Sequence, residues 1–584
     1  MFIRPPKLST ALIVAAGALA VIPLSGQALA PGDRVENFSL LDHRGEAHEL
    51  YYLSDQDAVV ILAHSNGCNA AAAAEQRLQA TGAGYRDRNV TFLLLDSNLA
   101  DDRDALNRAS ADAGLELPVL LDDTQIIGES LSLGKAGEAL VIDPERWTLV
   151  YRGNTGAALE AALAAVTAGE PVATAQTAVE GCDIAFPERA RRDAHAQISY
   201  RDTIAPMLAE NCVACHREGG IGPWAMTDYD MVRGFAPMIR EVVRTRRMPP
   251  WHADPHYGQF SNDRSLTPEQ ARTLVHWIEA GAPRGDGPDP LAGYDHAWPE
   301  WQLGKPDLVI DIPAFEVPAT GVVDYLYPRV KNPHERDEWV RAVEIIPGSR
   351  QGLHHVITTF GVPDPEARYG FRELGGLGGY VPGADADVFA EGTGVLLPAN
   401  AVFQLQMHYT TFGKAVTDES RLGIYFHKQP PPHELHTTVL MNPRIRIPAN
   451  TKAHTDSAEK VIDRDILVYN LLPHAHYRGK ASEFLAVYPD GTEELLLSVP
   501  DYDFNWQTTY ELETPKFLPA GTKIVHTTTW DNSAQNPANP DPNREVPWGQ
   551  QSWDEMLFGA IRWRYADDTQ EPGADLALQS SNAE

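Results

Sequence analysis

Cys212-Val213-Ala214-Cys215-His216 places a complete attachment chemistry in five residues. Two thiols at this spacing can add across the vinyl groups of a haem, and the histidine that follows then reaches the iron. A zinc half-site would use the same letters but needs a second cysteine pair. The only other cysteines, Cys68 and Cys182, stand far apart. The motif therefore predicts one covalently bound c-type haem with His216 as proximal ligand. Met248, in Arg246-Arg247-Met248-Pro249-Pro250-Trp251, is favoured as distal ligand, because paired prolines end a helix and present the thioether from a stiff loop. His252 is the rival. Met226, Met231 and Met238 read as packing residues.

A second set of donors is dispersed: His354 and His355, His408, His474 and His476, and Met556. His474 and His476 are two apart, so on a strand both rings project from one face. His354 and His355 are adjacent and would point oppositely, so a shared metal requires a bulge or a strand end there. His408 sits in the alternating run "LQMHYT", on one face of its strand. Imidazoles with a thioether suit a copper ion cycling between two oxidation states better than zinc or magnesium.

Several elements must position these groups. Residues 31–183 alternate strand and helix signals: apolar runs at Ala58–Ala63 and Val90–Leu95, a helix over Ala70–Gln79, a hairpin from Ala139–Asp143 and Trp147–Tyr151, and an alanine-rich helix over Thr155–Thr167. Residues 198–287 read as helical, with segments at Thr203–Glu210, Asp228–Arg247 and Thr267–Ala280. Thr267 and Pro268 suit the start of the last one. Residues 283–305 are rich in Pro and Gly and read as a linker. From 306 to 566 the pattern is β-rich, long enough for two sandwiches, 306–435 and 436–566. Residues 567–584 read as a disordered tail.

Each part resembles a known family. Residues 31–183 resemble the thioredoxin-like redoxins through "GDRVENFSLLDHRGE" and "ALVIDPERWTLVYRG". Cys68 stands at the first redox position, but Asn69, Ala70 and Ala71 follow without a partner thiol, and Gly137 replaces the usual proline. Dithiol exchange by a CxxC pair is excluded, and a scaffold role is favoured over a one-cysteine peroxidase. Residues 198–287 resemble a bacterial class I-like cytochrome c, which implies an all-α haem domain. "LHHVITTFG", "LQMHYTTFG", "PHAHYRGK" and "DEM" occur in the order found in the copper type II ascorbate-dependent monooxygenases, the family of peptidylglycine α-hydroxylating and dopamine β-monooxygenases. That resemblance implies two jelly-roll-like β-sandwiches facing one cleft. His354, His355 and His408 would bind an electron-accepting copper, and His474, His476 and Met556 the copper at which oxygen is activated. The peptide-amidating relative has an Arg, an Asn and a Tyr where this chain has Leu472, Phe558 and Ala560. Peptide amidation is therefore not expected, and a weakly polar substrate is.

The chain's 584 residues exceed any single core. Arg4 and Lys7 precede an apolar run, Ala11–Leu24, too short to span a bilayer, and Ala28-Leu29-Ala30 offers a cleavage site that makes 1–30 a signal peptide. The expected location is outside the cytoplasm, in the periplasm, with no membrane span in the mature form. There Cys68 and Cys182 are free either to pair or to stay apart. With 43% hydrophobic and 22% charged residues the composition is that of a globular protein, and a net charge of −32 argues against nucleic acid while suiting a basic electron-donor protein. The expectation is an exported copper monooxygenase taking O2 and a small molecule, with electrons from the haem, from ascorbate or from both. The alternative is a non-catalytic haem/copper electron-transfer or copper-binding protein.

Overall fold

The computed structural model describes residues 28–567, apart from residue 86 and residues 295–298, 368–369 and 384–385. The leader through residue 27 and the tail from residue 568 lie outside the described residues. No helix among the described residues is long and apolar enough to cross a membrane.

Strand Ala58–His64 is buried along its whole length, as expected of a strand covered on both faces. It lies at the centre of a five-stranded sheet ordered Val119–Leu121, Val90–Asp96, Ala58–His64, Ala139–Asp143, Thr148–Gly153. The first three strands are parallel, Ala139–Asp143 is antiparallel to them, and Thr148–Gly153 turns back antiparallel to it. Parallel neighbours need crossovers, supplied by helices Asn69–Ala83 and Arg103–Ala113. Val59 and Ile61 feed one core and Val60 and Leu62 the other, so alternate side chains divide between the two faces. This is the thioredoxin-like arrangement. Gly137 donates its N–H to Ala63 O at 2.7 Å, a bond that proline at this position could not make. Cys68 and Cys182 are joined, with their Cα atoms 6.0 Å apart, so the segment following the last helix is tied to the start of Asn69–Ala83. Leu29, on the leader side of the expected cleavage point, donates to Ser132 Oγ and accepts from Arg152 Nη1.

From Arg189 to Glu279 the described residues form helices and loops but no strand. The single helix expected over Asp228–Arg247 is instead two, Tyr229–Gly234 and Ala236–Arg244. Pro237 has no N–H to continue the first, and Asp228 caps it through Met231 N. Helix Pro268–Glu279 starts with a full capping box between Thr267 and Gln270. Residues 283–305 are not a free linker. Leu291 is buried in the helical core, Trp301 lies against Gly423, and Gln302 N–H is held by the Glu344 carboxylate.

The remainder is β. One sheet orders Arg329–Lys331, Val402–Tyr409, Leu353–Pro363 and Phe371–Tyr380, and a second orders His433–Glu434, Thr393–Leu397, Glu338–Ile346, Arg421–Phe426 and Leu308–Asp311. Their inner faces share a core built on Val340, Val356, Phe360 and Phe403. The next pair orders His436–Met441, Phe558–Tyr565, Ile466–His474 and Tyr510–Leu518, against His454–Val461, Lys523–Trp530, Gly479–Val487 and Glu493–Val499. Their core contains Val468, Phe484, Ile524 and Trp530.

The parts are clamped together. Arg103 bonds both oxygens of Asp254, joining the redoxin part to the loop after Met248. Arg562 and Asp387 form a double hydrogen bond of 2.6 Å each between the two sandwiches, with both side chains largely buried. Removing one member strands a desolvated charge. Arg562→Ala is therefore expected to lower the stability of the β region by about 3 kcal/mol in denaturant unfolding. Asp387→Ala added to it should return part of the loss; a double variant no more stable than Arg562→Ala would mean the pair is not what closes the sandwiches.

Candidate metal centre

The register of strand Leu353–Pro363 against Val402–Tyr409 slips between Leu353 and His355, and His355 then stands directly opposite His408. The slip is the bulge that the adjacent histidines require. It lets His354 and His355 turn to the same side, with their Nδ1 atoms 3.2 Å apart. His408 Nδ1 is 3.2 Å from His354 Nδ1, and all three residues offer nitrogens within 4.8 Å of one another. Three neutral rings cannot each donate to the others through these atoms, so lone pairs are left pointing at a common centre.

His474 ends its strand, opposite Phe558. Its Nδ1 is 2.9 Å from Gln507 Oε1, which fixes the proton there and leaves Nε2 as the lone-pair atom. His476 Nδ1 is 3.3 Å from Asp554 O, and its Nε2 is buried without a hydrogen-bond partner. The two rings are 5.2 Å apart and nearly perpendicular. Glu555 organises this corner. One of its oxygens accepts from His476 N, Trp530 Nε1 and Met556 N, and the other from Arg478 N. The main chains of Met556 and His476 are thereby held to one acceptor. Burial pushes the Glu555 carboxyl up to about 7, against the pull of those N–H groups and of Arg478.

The two groups of histidines share one seam. The His355 and His474 rings are 6.2 Å apart, and Ser552 Oγ, from the loop before Met556, is 3.4 Å from His408 Nε2. Tyr325 lies against His408, His355 and His476 at 4.5, 5.4 and 6.4 Å. Phe504 stacks on His354 at 4.8 Å with the planes 14° apart. Tyr325, Phe504, Gln507, Ser552 and the bracing role of Glu555 were not read from the sequence. Phe504 and Gln507 lie in a turn with no periodicity to expose them. Leu472 pairs with Ala560 as His474 does with Phe558, so three apolar side chains flank His474 on one face. A cavity of about 170 Å³ opens beside His408, lined by Val322, Thr410, Tyr477 and Ser552 among others.

In the segment Cys212–His216, Cys215 N and His216 N both donate to Cys212 O, a single turn that brings Cys212, Cys215 and His216 to one side. Cys212 and Cys215 form no disulfide. Burial first, then Cys215, pushes the Cys212 thiol up to about 12. His216 Nδ1 is 3.1 Å from Trp224 O, which orients the ring and leaves Nε2 open. Met248 is half-buried in a loop anchored by Trp251, which packs on Tyr510 and Phe260 of the second sandwich and its approach. His252 faces Asp501 and Asp503; burial holds its pKa below the usual value, against their pull.

No family model and no curated protein matches the chain. Among solved structures, a hypothetical protein from Sinorhizobium meliloti is 25% identical over 27% of this chain and 95% of its own, with a TM-score of 0.25. Peroxidoxin BcpB from Mycobacterium tuberculosis is 16% identical over 24% of this chain and 97% of its own (TM-score 0.22), and a putative thiol:disulfide interchange protein from Chlorobium tepidum is 15% identical over 24% and 99% (TM-score 0.22). Scores this low carry no argument, and the thioredoxin-like fold of residues 31–183 rests on its strand order.

Burial, then neighbouring imidazoles, lowers His354 to about 4 and His408 to about 2; burial lowers His474 to about 4 against the Gln507 bond, and His355 and His476 fall well below the ordinary value. Below about pH 6.5 the unfolded chain takes up protons that the folded seam refuses, so stability is complete above that pH and declines toward pH 4. For the metal-free protein, the denaturation midpoint of the β region should fall steadily from pH 7 to pH 5. A flat profile would show that the folded seam accepts protons.

Proposed function

We propose that this chain is an exported, periplasmic copper-dependent monooxygenase that hydroxylates an aliphatic C–H of a small, weakly polar molecule, with electrons entering through a c-type haem held in the same chain, through ascorbate, or through both. The observation that carries the reading is the convergence of the His354, His355 and His408 Nδ1 atoms at a register slip, beside a second pair, His474 and His476, whose Nε2 atoms are left free. The overall change is R–H + O2 + 2 e⁻ + 2 H⁺ giving R–OH and water. Two copper ions, one bound by His354, His355 and His408 and one by His474, His476 and Met556, would supply one-electron storage and oxygen activation.

The donor sets fit such ions. Every histidine is neutral at pH 7, so no proton competes for its lone pair. Gln507 and Asp554 O hold the two rings of the second site in the tautomer that presents Nε2, and Glu555 fixes the strand end on which both rings sit. Tyr325 and Phe504 pack against rings of both groups. Leu472, Phe558 and Ala560 give the approach to His474 an apolar wall with no group to hold a carboxylate. Cys212, Cys215 and His216 would hold the haem, with Met248 the favoured opposite ligand and a basic protein a suitable external donor for so acidic a chain.

A non-catalytic electron-transfer or copper-binding protein would use the same donors, but would have no need for a second, differently oriented pair beside an apolar wall. Reduced, copper-loaded protein offered a panel of small hydrophobic molecules should consume oxygen in proportion to hydroxylated product, and His474→Ala should abolish this while retaining the copper held by His354, His355 and His408. Full copper loading with no substrate-dependent uptake across the panel would favour the electron-transfer reading. Gln507→Leu frees the His474 ring and is expected to weaken copper binding at that site by about 10–100-fold in chelator competition, with the other copper unaffected.

A further inference from the structure

We infer that the turn Asp503–Gln507 is an electron bridge from the haem-attachment motif to the histidine seam, with Trp506 as its entrance and Phe504 as its exit. The inference rests on the function proposed above and names the residues that would connect its redox centres.

The entrance is made by a glycine. Gly383 has φ of +76°, and a side chain begun there would lie 3.3 Å from Cys215 Sγ and 3.5 Å from the Trp506 six-membered ring. The thioether-forming sulfur and the indole are therefore within about 7 Å of each other across the bare Gly383 Cα. Arg264 donates to Gly383 O at 2.7 Å and pins this strip of the first sandwich between them. Cys215 belongs to the helical part and Trp506 to the second sandwich, so three parts of the chain meet at one point.

The exit is fixed by the same turn. Trp506 N–H donates to Asp503 O at 2.9 Å, and Thr508 N–H to Trp506 O at 2.9 Å, so the main chain that carries the indole is folded into the same turn as Phe504, two residues before it. Gln507 Nε2 donates to Phe504 O at 3.2 Å while its Oε1 meets His474 Nδ1 at 2.9 Å. Phe504 stacks on His354 and lies 6.0 Å from His408 and 6.1 Å from His476. Five consecutive residues thus touch both groups of histidines and reach the haem-side sulfur. Tyr380 is the competing path: it ends the strand that leads into Gly383, and its backbone pairs with Val356, next to His355.

The electron balance is simple. Each transfer oxidises ferrous haem to ferric and reduces one cupric ion to cuprous, with no proton taken up by the neutral histidines. An external one-electron donor, ascorbate or a carrier protein, then restores the haem, and two transfers serve one turnover.

The test uses full-length protein carrying haem and copper, oxidised and kept free of oxygen. A light-driven donor injects one electron into the haem, and its reoxidation is followed by its visible absorption. In the unaltered protein the haem should lose its electron only when copper is bound. Trp506→Leu should slow that loss by at least about tenfold, the scale on which small displacements of reacting partners register in rates. Trp506→Phe should restore most of it. Haem reduction potential and copper content, measured on each variant, should stay as in the parent, which a general disturbance of the fold would not allow. Tyr380→Phe should leave the rate unchanged. Unaltered rates in Trp506→Leu, or slowing in Tyr380→Phe instead, would overturn the bridge. A parent protein whose haem keeps its electron with copper present would overturn the haem-to-copper reading itself.

Discussion

Five imidazoles can share one dry seam only while all of them are uncharged, and that constraint governs the β half of the chain. Burying a charged imidazole beside four others would cost both desolvation and mutual repulsion. The structure avoids this by burial deep enough to hold every ring in its neutral form at physiological pH. Neutral rings bring an obligation of their own, because buried lone pairs and N–H groups need partners. Gln507, Asp554 O and Ser552 take some, yet the Nδ1 atoms of His354, His355 and His408 face only one another, and His476 retains a buried Nε2 with no hydrogen bond. A protein selected only for stability would not keep so many. The unmet demand is the physical content of the proposal that the seam binds metal.

Closure of the two sandwiches makes the seam, and two kinds of interaction hold it. Arg562–Asp387 acts at a distance from the rings, as a charged clasp between the sheets. Tyr325 acts within, its ring against histidines of both groups and its hydroxyl 3.2 Å from Ser552 Oγ in the opposite sandwich. Glu555 then makes the geometry local and stiff. A single carboxylate that accepts from His476 N, Arg478 N, Met556 N and Trp530 Nε1 leaves the His-x-His segment and the methionine loop no independent freedom.

Much of this was legible in the sequence, for identifiable reasons. The period-two spacing of His474 and His476 follows from strand geometry, and the adjacency of His354 and His355 demanded a distortion that appears as the register slip before His355. The apolar runs of residues 31–183 were long and regular enough to give four of the five strands and the helix Asn69–Ala83, whereas the short edge strand Val119–Leu121 and the largely polar helix Arg103–Ala113 carried too weak a pattern to be read. Local breakers were harder to weigh: Pro237 divides the segment Asp228–Arg247, and residues 283–305 hide buried anchors, Leu291 and Trp301, among prolines and glycines. Phe504 and Gln507 were illegible because a turn carries no period, and their value comes only from what tertiary contact brings to them. The pairing of Cys68 with Cys182 was undecidable for the same reason, since it depends on the path of an irregular segment.

The helical part is built into its neighbours: Ala271 and Val275 lie in the redoxin core, and Trp251 and Ala253 in the core of the second sandwich. Directional contacts add to this burial, with Trp251 against Tyr510, Ser261 N–H on Glu511 O, and Asn262 Nδ2 on Thr509 O. Arg103 grips Asp254 from the redoxin side, so the loop carrying Met248 and His252 is held from both directions. A redoxin part with no CxxC dithiol and one disulfide tying its own chain is well suited to such bracing. Covalent linkage alone would raise the effective concentration of a donor near its acceptor, but a flexible tether would leave their orientation free. Here the Met248 loop is fixed against strand Tyr510–Leu518 and the segment Cys212–His216 against Gly383, just beyond strand Phe371–Tyr380, and each of these strands neighbours one that carries the histidines. The placement of the Cys215 sulfur at Gly383 is thus a property of the folded assembly, set by the same contacts that order the Met248 loop.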